Sequence, residues 1–230
     1  MIRIFTNLAA VLLCSLVVCS CTASHQARSV NPKSAVLVNP DILQEGKDNQ
    51  ALYRYVKPGF DIKQYSAMIV EPVLIAKEGE LGASERQNYQ RLANNAYVYL
   101  VQELEKGIKV VKESGKGTLN LQMAIRDADS SKPVRMITSS ATPIGAGLSL
   151  VKLTATGKQS GVGEITAEFR VTDDTTGELL VAALDRRVGN KSVQGVWDTW
   201  SNADDALRYW STWIGYLLCT HRQGSGCVKP

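Results

Sequence analysis

Acid–base and nucleophilic chemistry have few candidate side chains in this chain. It contains two histidines in 230 residues, of which His221 is the one in the predicted folded domain. A nucleophilic serine needs a neighbouring base, and the residues around Ser160 do not form a Gly-x-Ser-x-Gly elbow. Glu164 and Glu168 share a strand face, but their backbones are about 13 Å apart at roughly 3.3 Å per residue. That separation exceeds glycosidase spacing, so we predict solvated roles for these glutamates and a turn-forming role for Asp173.

The sequence also lacks a complete phosphate-binding or dinucleotide-binding motif. Gly157-Lys158 is followed by Gln159 where a P-loop needs Ser or Thr, and Gly145-Ala146-Gly147 lacks the third glycine of a dinucleotide fingerprint. We therefore predict no catalytic residue, no cofactor and no resident metal, and a protein that is not an enzyme.

The start of the chain has the three parts of a secretion signal. Arg3 is its cation, and an apolar run follows from Leu8 to Val18. The string Val18-Cys19-Ser20-Cys21 resembles the bacterial lipobox, in which a peptidase cuts before a cysteine that carries diacylglycerol. We predict that residues 1–20 are a signal peptide and that Cys21 is lipidated. An ordinary cleaved signal and an uncleaved anchor are the alternatives.

Lipidation would hold the protein on a membrane without a spanning helix, since each buried CH₂ contributes roughly 0.8 kcal/mol. Thr22 follows Cys21, whereas an Asp there retains lipoproteins at the inner membrane in Gram-negative sorting. We therefore predict an outer-membrane lipoprotein with its domain in the periplasm.

Cys219 and Cys227 are the pair of cysteines that remains beyond Cys21. An oxidising compartment favours a disulfide, and Gly224 and Gly226 let the chain turn back between the two thiols. Closing this short loop contributes about 2.5 kcal/mol on the chain-entropy model. The alternative is a metal site with His221, which supplies three ligands at most.

Residues 21–52 are polar and aperiodic, which predicts a lipidated N-terminus and tether, partly packed near Val36 to Val38. Residues 53–230 are predicted to form a single α+β domain. Its sheet is mostly antiparallel, because alternation at 165–171 and 180–184 with a turn at 173–177 is typical of a hairpin. In that hairpin, a cross-strand salt bridge is predicted for Asp185-Arg186-Arg187.

Two amphipathic helices are predicted to pack on this sheet. The first spans about 84–106, with a capping box of Ser84 and Gln87 and an apolar stripe at three- and four-residue steps. The second spans about 202–218 with Asn202 as its cap. An apolar patch at 148–153 is assigned to a short helix between loops.

The tryptophans are concentrated between Trp197 and Trp213. Trp210 and Trp213 lie at helical spacing on an apolar face, which predicts core positions. Trp197 and Trp200 precede the helix, where they cap the core, form an exposed interaction or ligand patch, or lie in an aromatic belt at a membrane surface.

The composition excludes several classes of protein. With 44% hydrophobic and 21% charged residues, the chain is not wholly disordered. A multi-span membrane protein is excluded because only the first twenty or so residues hold a long apolar run. A net charge of +4 spread along the chain gives no argument for nucleic acid binding.

Several strings in order resemble the family of small proteobacterial lipoproteins catalogued as domain of unknown function 3313. The strings are Tyr55-Val56-Lys57-Pro58-Gly59, Ile69-Val70-Glu71-Pro72-Val73, Arg126 to Pro133, Thr156 to Gly163, Asp173 to Glu178, Asp185-Arg186-Arg187 and Trp197 to Trp210. The resemblance covers nearly all of the chain after the tether. It implies a secreted, lipid-anchored, non-enzymatic envelope protein.

The resulting hypothesis is a non-enzymatic interaction or accessory module that faces the periplasm and meets other envelope proteins. The alternative is a periplasmic protein that binds a small ligand or lipid in a tryptophan-lined pocket.

Overall fold

The computed structural model describes residues 24–77, 82–126, 135–138, 149–151, 164–188 and 199–230. Within these ranges, eleven strands form one mixed sheet. Two long helices accompany it, α1 (Ala83–Leu104) and α2 (Thr199–His221). The α+β class is confirmed, with parallel pairs as an addition to the predicted antiparallel sheet.

The strands follow one another along the chain as two- to ten-residue elements. They are β1 (His25–Gln26), β2 (Gln44–Glu45), β3 (Tyr53–Val56), β4 (Ala67–Val70), β5 (Leu74–Lys77), β6 (Lys109–Val111), β7 (Thr118–Arg126), β8 (Arg135–Thr138), β9 (Ser149–Val151), β10 (Glu164–Asp173) and β11 (Leu179–Val188). The main order is β2-β3-β11-β10-β7-β5-β8-β9, while β1 pairs with β11 and β4 lies between β6 and β7.

Parallel pairing is confined to β4, β5, β6 and β7 among these strands. Helix α1 follows β5 and precedes β6, so the chain crosses over the sheet and returns in the same direction. The short helix predicted around 148–153 is wrong where the structure describes it. Ser149–Val151 forms β9, which pairs antiparallel with β8.

The β10–β11 hairpin confirms the alternation read from the sequence. Its turn is closed by Asp173, whose Oδ1 accepts hydrogen bonds from the N–H groups of Thr175 (2.9 Å) and Thr176 (2.8 Å). The Thr176 N–H lowers the pKa of Asp173 below its usual value. Gly177 has a φ of +71°, a conformation that favours glycine. The turn-forming role of Asp173 is confirmed.

Both helices begin earlier than predicted. Helix α1 starts after Gly82, so Ser84 lies inside the first turn and the Ser84–Gln87 capping box does not form an N-cap. Helix α2 starts at Thr199, which places Asn202 within the helix rather than at its cap. Trp200, in the first turn of α2, packs on Tyr89 of α1. This tertiary contact stabilises helical backbone before Asn202 and outweighs the preference of Asn for an N-cap position.

One face of the sheet is covered by the two helices. The buried positions of α1 are the predicted stripe Tyr89, Leu92, Ala93, Ala96, Leu100 and Leu104. They meet every second residue of the central strands, including Met123 of β7 and Phe169 of β10. Gly107 lets α2 pack close to the end of α1, because a Cβ at position 107 would lie 3.1 Å from Leu218 Cδ2.

The predicted tether is part of the folded domain in the structure. Its residues 25–26 pair with β11, and its residues 44–45 pair with β3. Between these strands, the backbone from Val36 to Val38 lies against Glu168 of β10. The folded region therefore begins well before Tyr53, because backbone groups of this segment form hydrogen bonds with the sheet.

Candidate interaction site

Of the two tryptophans in the predicted patch, the structure describes Trp200. Trp197 lies outside the described residues, as does Cys21. Trp200 is half-buried in the first turn of α2, with its ring 5.0 Å from that of Tyr89 at an angle of 87°. This edge-to-face contact attaches Trp200 to the core.

An open cleft of about 260 Å³ runs beside Trp200 between the two helices. Its lining is mainly polar and consists of Arg91, Leu92, Asn95, Trp200, Ser201, Asp204 and Asp205. Ligand pockets in proteins usually hold roughly 300–1,000 Å³ behind apolar walls. The cleft is smaller and more polar than such a pocket.

Asp204 organises the wall of this cleft. Its carboxylate accepts hydrogen bonds from Asn95 Nδ2 at 2.7 Å and from the Tyr99 hydroxyl at 2.9 Å. Arg208 stacks 4.1 Å above the Tyr99 ring and donates to its hydroxyl oxygen. Burial, followed by the hydrogen bond to Asp204, raises the pKa of Tyr99. The network stabilises the contact between α1 and α2.

The structure joins Cys219, near the end of α2, to Cys227 by a disulfide with a Cα–Cα distance of 5.7 Å. The predicted disulfide is supported, and the bond uses both thiols that a metal site with His221 would need. After α2 the chain turns back close to Cys219. Position 224 therefore favours glycine, because a Cβ there would lie 2.9 Å from Cys219 Sγ. Within the described ranges, no group of three acidic, histidine or cysteine side chains could hold a metal ion.

The two glutamates of β10 have different environments and separate partners. Glu164 pairs with Arg186 across the hairpin, the predicted cross-strand salt bridge. Glu168 is completely buried, so its predicted solvated role is wrong. Its carboxylate accepts N–H groups from Val36 and Leu37, both at 2.7 Å, and from Val38 at 3.2 Å.

Burial raises the pKa of Glu168 above its usual value of 4.5, although the three N–H donors and the charge of Arg126 act in the opposite direction. A buried carboxylate with three backbone donors holds a chain segment in place. Its position fits a structural role, because the carboxylate is enclosed between the sheet and residues 36–38.

Asp185 connects the N-terminal segment to α2. Its Oδ2 accepts from Trp210 Nε1 at 2.7 Å, and its Oδ1 accepts from Gln26 Nε2 at 2.6 Å and from the Leu52 N–H at 3.2 Å. Asp185 is 5% exposed. Its partners are therefore the N-terminal segment and the helix, whereas Arg186 beside it makes the cross-strand pair.

Arg187 holds the first described residue of the chain. Its Nε donates to Ser24 Oγ at 3.0 Å, and its guanidinium also donates to the Ser24 carbonyl. The guanidinium carbon lies 3.5 Å from the centre of the Tyr209 ring. Burial lowers the pKa of Arg187, although the neighbouring Tyr209 and Asp185 favour its charged form. Ser24 is thereby fixed beside the middle of α2.

Tyr209 begins a row of half-buried aromatic rings along α2, which we call the aromatic row: Tyr209, Trp213 and Tyr216. Tyr209 and Trp213 stack with centroids 6.1 Å apart, and Trp213 and Tyr216 follow at 5.4 Å. Lys229 Nζ lies 5.4 Å from the Trp213 ring centre. Trp213, predicted as core, is therefore only partly buried. The i, i+4, i+7 spacing of these aromatics is visible in the sequence but does not tell a buried stripe from a surface one.

A family model described as "Protein of unknown function (DUF3313)" matches residues 32–214. The chain belongs to this family. The match confirms the resemblance seen in the strings from Tyr55 to Trp210, and it begins within the segment predicted as a tether. The family description names no reaction, ligand or partner.

Solved structures of other families resemble this chain weakly. A DUF4136 family protein from Bacteroides thetaiotaomicron has a TM-score of 0.39 and 9% identity, covering 76% of this chain and 98% of its own. A PelC dodecamer from Paraburkholderia phytofirmans has a TM-score of 0.34 and 11% identity, covering 74% of this chain and 95% of its own. Comparison with curated proteins finds no match.

The two long helices do not cross a membrane. Among the described residues, neither α1 nor α2 combines the length and the apolarity that a bilayer crossing requires.

Proposed function

We propose that this member of the DUF3313 family is a lipid-anchored cell-envelope protein. Cys21 carries the lipid, the outer membrane holds it, and the domain faces the periplasm as a non-enzymatic interaction or accessory module. The observation that carries the proposal is the string Val18-Cys19-Ser20-Cys21 behind an apolar run. The disulfide of Cys219 and Cys227 fits the same oxidising compartment.

The polar residues of the described domain support a binding role rather than a catalytic one. Asp204, Asp185 and Glu168 are each occupied by hydrogen bonds that join one element to another. These bonds account for the placement of the three carboxylates and support a structural role for them. The exposed part of the cleft, with Arg91 and Asp205, is the surface on which we place the contact with an envelope protein.

Metabolic labelling with a clickable fatty acid tests the anchor. Wild-type protein should take up the label, and Cys21→Ala should lose it because no other cysteine follows a small residue at the end of the signal. Cys19→Ser is the matched control and should keep the label. Labelling of Cys21→Ala, or an unlabelled wild type, would refute the lipid anchor.

The choice of membrane depends on the residue after the lipidated cysteine. Thr22→Asp should move the protein from outer-membrane to inner-membrane fractions on a density gradient. Thr22→Ser is the control and should stay in the outer membrane. Identical fractionation of the Asp variant and the wild type would contradict the sorting assignment.

The interaction role is tested by a photo-crosslinking amino acid in intact cells. A probe at Arg91, in the cleft, should give a discrete protein adduct, whereas a probe at the exposed Lys63, which lies outside the cleft lining, should not. Absence of adducts at both positions, or the same adducts at both, would count against the cleft as the contact surface.

A further inference from the structure

The described chain begins very close to the residue that the proposed function lipidates. Only Thr22 and Ala23 separate Cys21 from Ser24. Three Cα-to-Cα steps of 3.8 Å span at most about 11 Å. Whatever part of the domain lies around Ser24 is therefore within about one helix diameter of the lipid attachment point.

Ser24 is firmly placed on the domain. It is 6% exposed, and the Arg187 side chain donates to both its hydroxyl and its carbonyl oxygen. Arg187 stacks on Tyr209, the first ring of the aromatic row. The lipid is consequently attached beside the aromatic row and not at the end of a long flexible linker.

The aromatic row has the composition of a membrane-interface surface. Tyr and Trp rings combine an apolar body with a polar tip, which places them at the level of lipid headgroups. Tyr209, Trp213 and Tyr216 span about 10 Å along the helix axis at 1.5 Å per residue. All three are only partly buried, so part of each ring remains open to a surface.

Apolar and cationic residues extend the same surface. Leu217 follows Trp213 by one helical turn and is 39% exposed, and Val228 is 79% exposed. Val228 precedes Lys229, whose ammonium lies over the Trp213 ring. The Lys229 ammonium also donates to Asn49 Oδ1 at 3.2 Å, which leaves two of its three N–H groups for an anionic headgroup while its stem stays on apolar surface.

We propose that the aromatic row, together with Leu217 and Lys229, rests on the headgroup layer of the membrane that holds the Cys21 lipid. This inference depends on the proposed lipid anchor and specifies how the domain sits on it. Helix α2 then lies roughly parallel to the membrane plane, because rings separated by two turns touch the same layer. The cleft beside Trp200, at the other end of α2, stays open to protein partners.

The test uses native lipidated protein in vesicles of phosphatidylethanolamine and phosphatidylglycerol that contain a phosphatidylcholine with a nitroxide on its headgroup. The nitroxide should quench tryptophan emission in the wild type. Trp213→Phe should lose most of that quenching. Trp200→Phe is the control and should quench as the wild type does, since Trp200 lies about 20 Å away along the helix.

A second variant covers the case in which Trp213→Phe does not fold. Tyr216→Trp adds a fluorophore to the row and should increase the quenched fraction. Unchanged quenching in either variant, with the protein still bound to the vesicles, would overturn the membrane-facing row and leave the anchor intact. A wild type that lacks acyl mass and does not bind the vesicles would overturn the anchor, and the seating with it.

Discussion

The two faces of the sheet bury carboxylates in different surroundings. On the helix face, Asp185 accepts a hydrogen bond from Trp210 beside an aliphatic and aromatic core, whereas on the opposite face Glu168 lies beneath the backbone of residues 36–38. The first face is covered by α1 and α2, which bring their own apolar stripes. The second is covered at Glu168 by Val36, Leu37 and Val38, whose backbone N–H groups bind the carboxylate. The N-terminal segment is therefore an integral part of the fold.

The largest expected effect lies on the helix face. Leu207 of α2 is fully buried, and Leu207→Ala should lower the free energy of unfolding by about 2–5 kcal/mol, since it removes apolar contacts and leaves a cavity. Urea denaturation of the two proteins measures this. The matched control is Val98→Ala on the exposed side of α1, where Val98 is 46% exposed and the expected loss stays within about 0.5 kcal/mol. Equal losses at the two sites would contradict the assignment of the core.

The next largest loss of stability is expected on the opposite face of the sheet. Glu168→Ala leaves three backbone N–H groups without their acceptor, which should cost about 1–3 kcal/mol. Hydrogen exchange should then accelerate at Val36, Leu37 and Val38 more than in α1. Unchanged exchange at these three amides would show that Glu168 does not hold the segment.

The buried carboxyl group of Glu168 should also make the stability of the protein depend on pH. Burial raises the pKa of Glu168 above 4.5 in the folded protein, so its contribution to stability is fully present below the unfolded pKa and is lost as the pH rises through the folded pKa. Compared with Glu168→Gln, the wild type should therefore lose stability as the pH rises from about 4.5.

Urea unfolding of the wild type and Glu168→Gln between pH 4.5 and 7 measures this difference. Asp173 does not interfere, because its pKa lies below its usual value of 3.8 and it titrates under this window. Parallel pH profiles for the two proteins would contradict the assigned direction.

The smallest expected effect concerns the salt bridge between Glu164 and Arg186. The Glu164 side chain is 27% exposed and that of Arg186 is 12% exposed. Glu164→Ala should therefore reduce the free energy of unfolding by less than about 1 kcal/mol, because water screens such a pair. A loss as large as that of Glu168→Ala would remove the distinction between buried and partly exposed carboxylates on β10.

Local patterns predicted the elements that depend on periodicity. The β10–β11 hairpin, the stripe of α1 and the Cys219–Cys227 bridge follow from alternation, helical spacing and cysteine count. The starts of the helices were not predicted correctly. For α2 the reason is the long-range contact between Trp200 and Tyr89, which extends the helix ahead of Asn202.

The buried polar contacts were beyond sequence patterns for the same reason. Partial packing near Val36 to Val38 was predicted, and these residues do lie on the sheet. Their partner Glu168 is more than a hundred residues away along the chain, so no local pattern identifies it. Of the aromatic row, helical spacing predicted Trp213 alone, and as a core residue. The place of the row beside Ser24 depends on Arg187, which lies on β11.

The lipid on Cys21 is the central claim, because it sets both the location of the protein and the orientation proposed for α2. Mass spectrometry of the native protein, extracted in detergent and analysed intact, tests it most directly. The account predicts a chain of 210 residues that begins at Cys21 and carries the added mass of a diacylglyceryl group, with or without an N-acyl chain. An unmodified Cys21, or a chain that keeps residues 1–20, would contradict it.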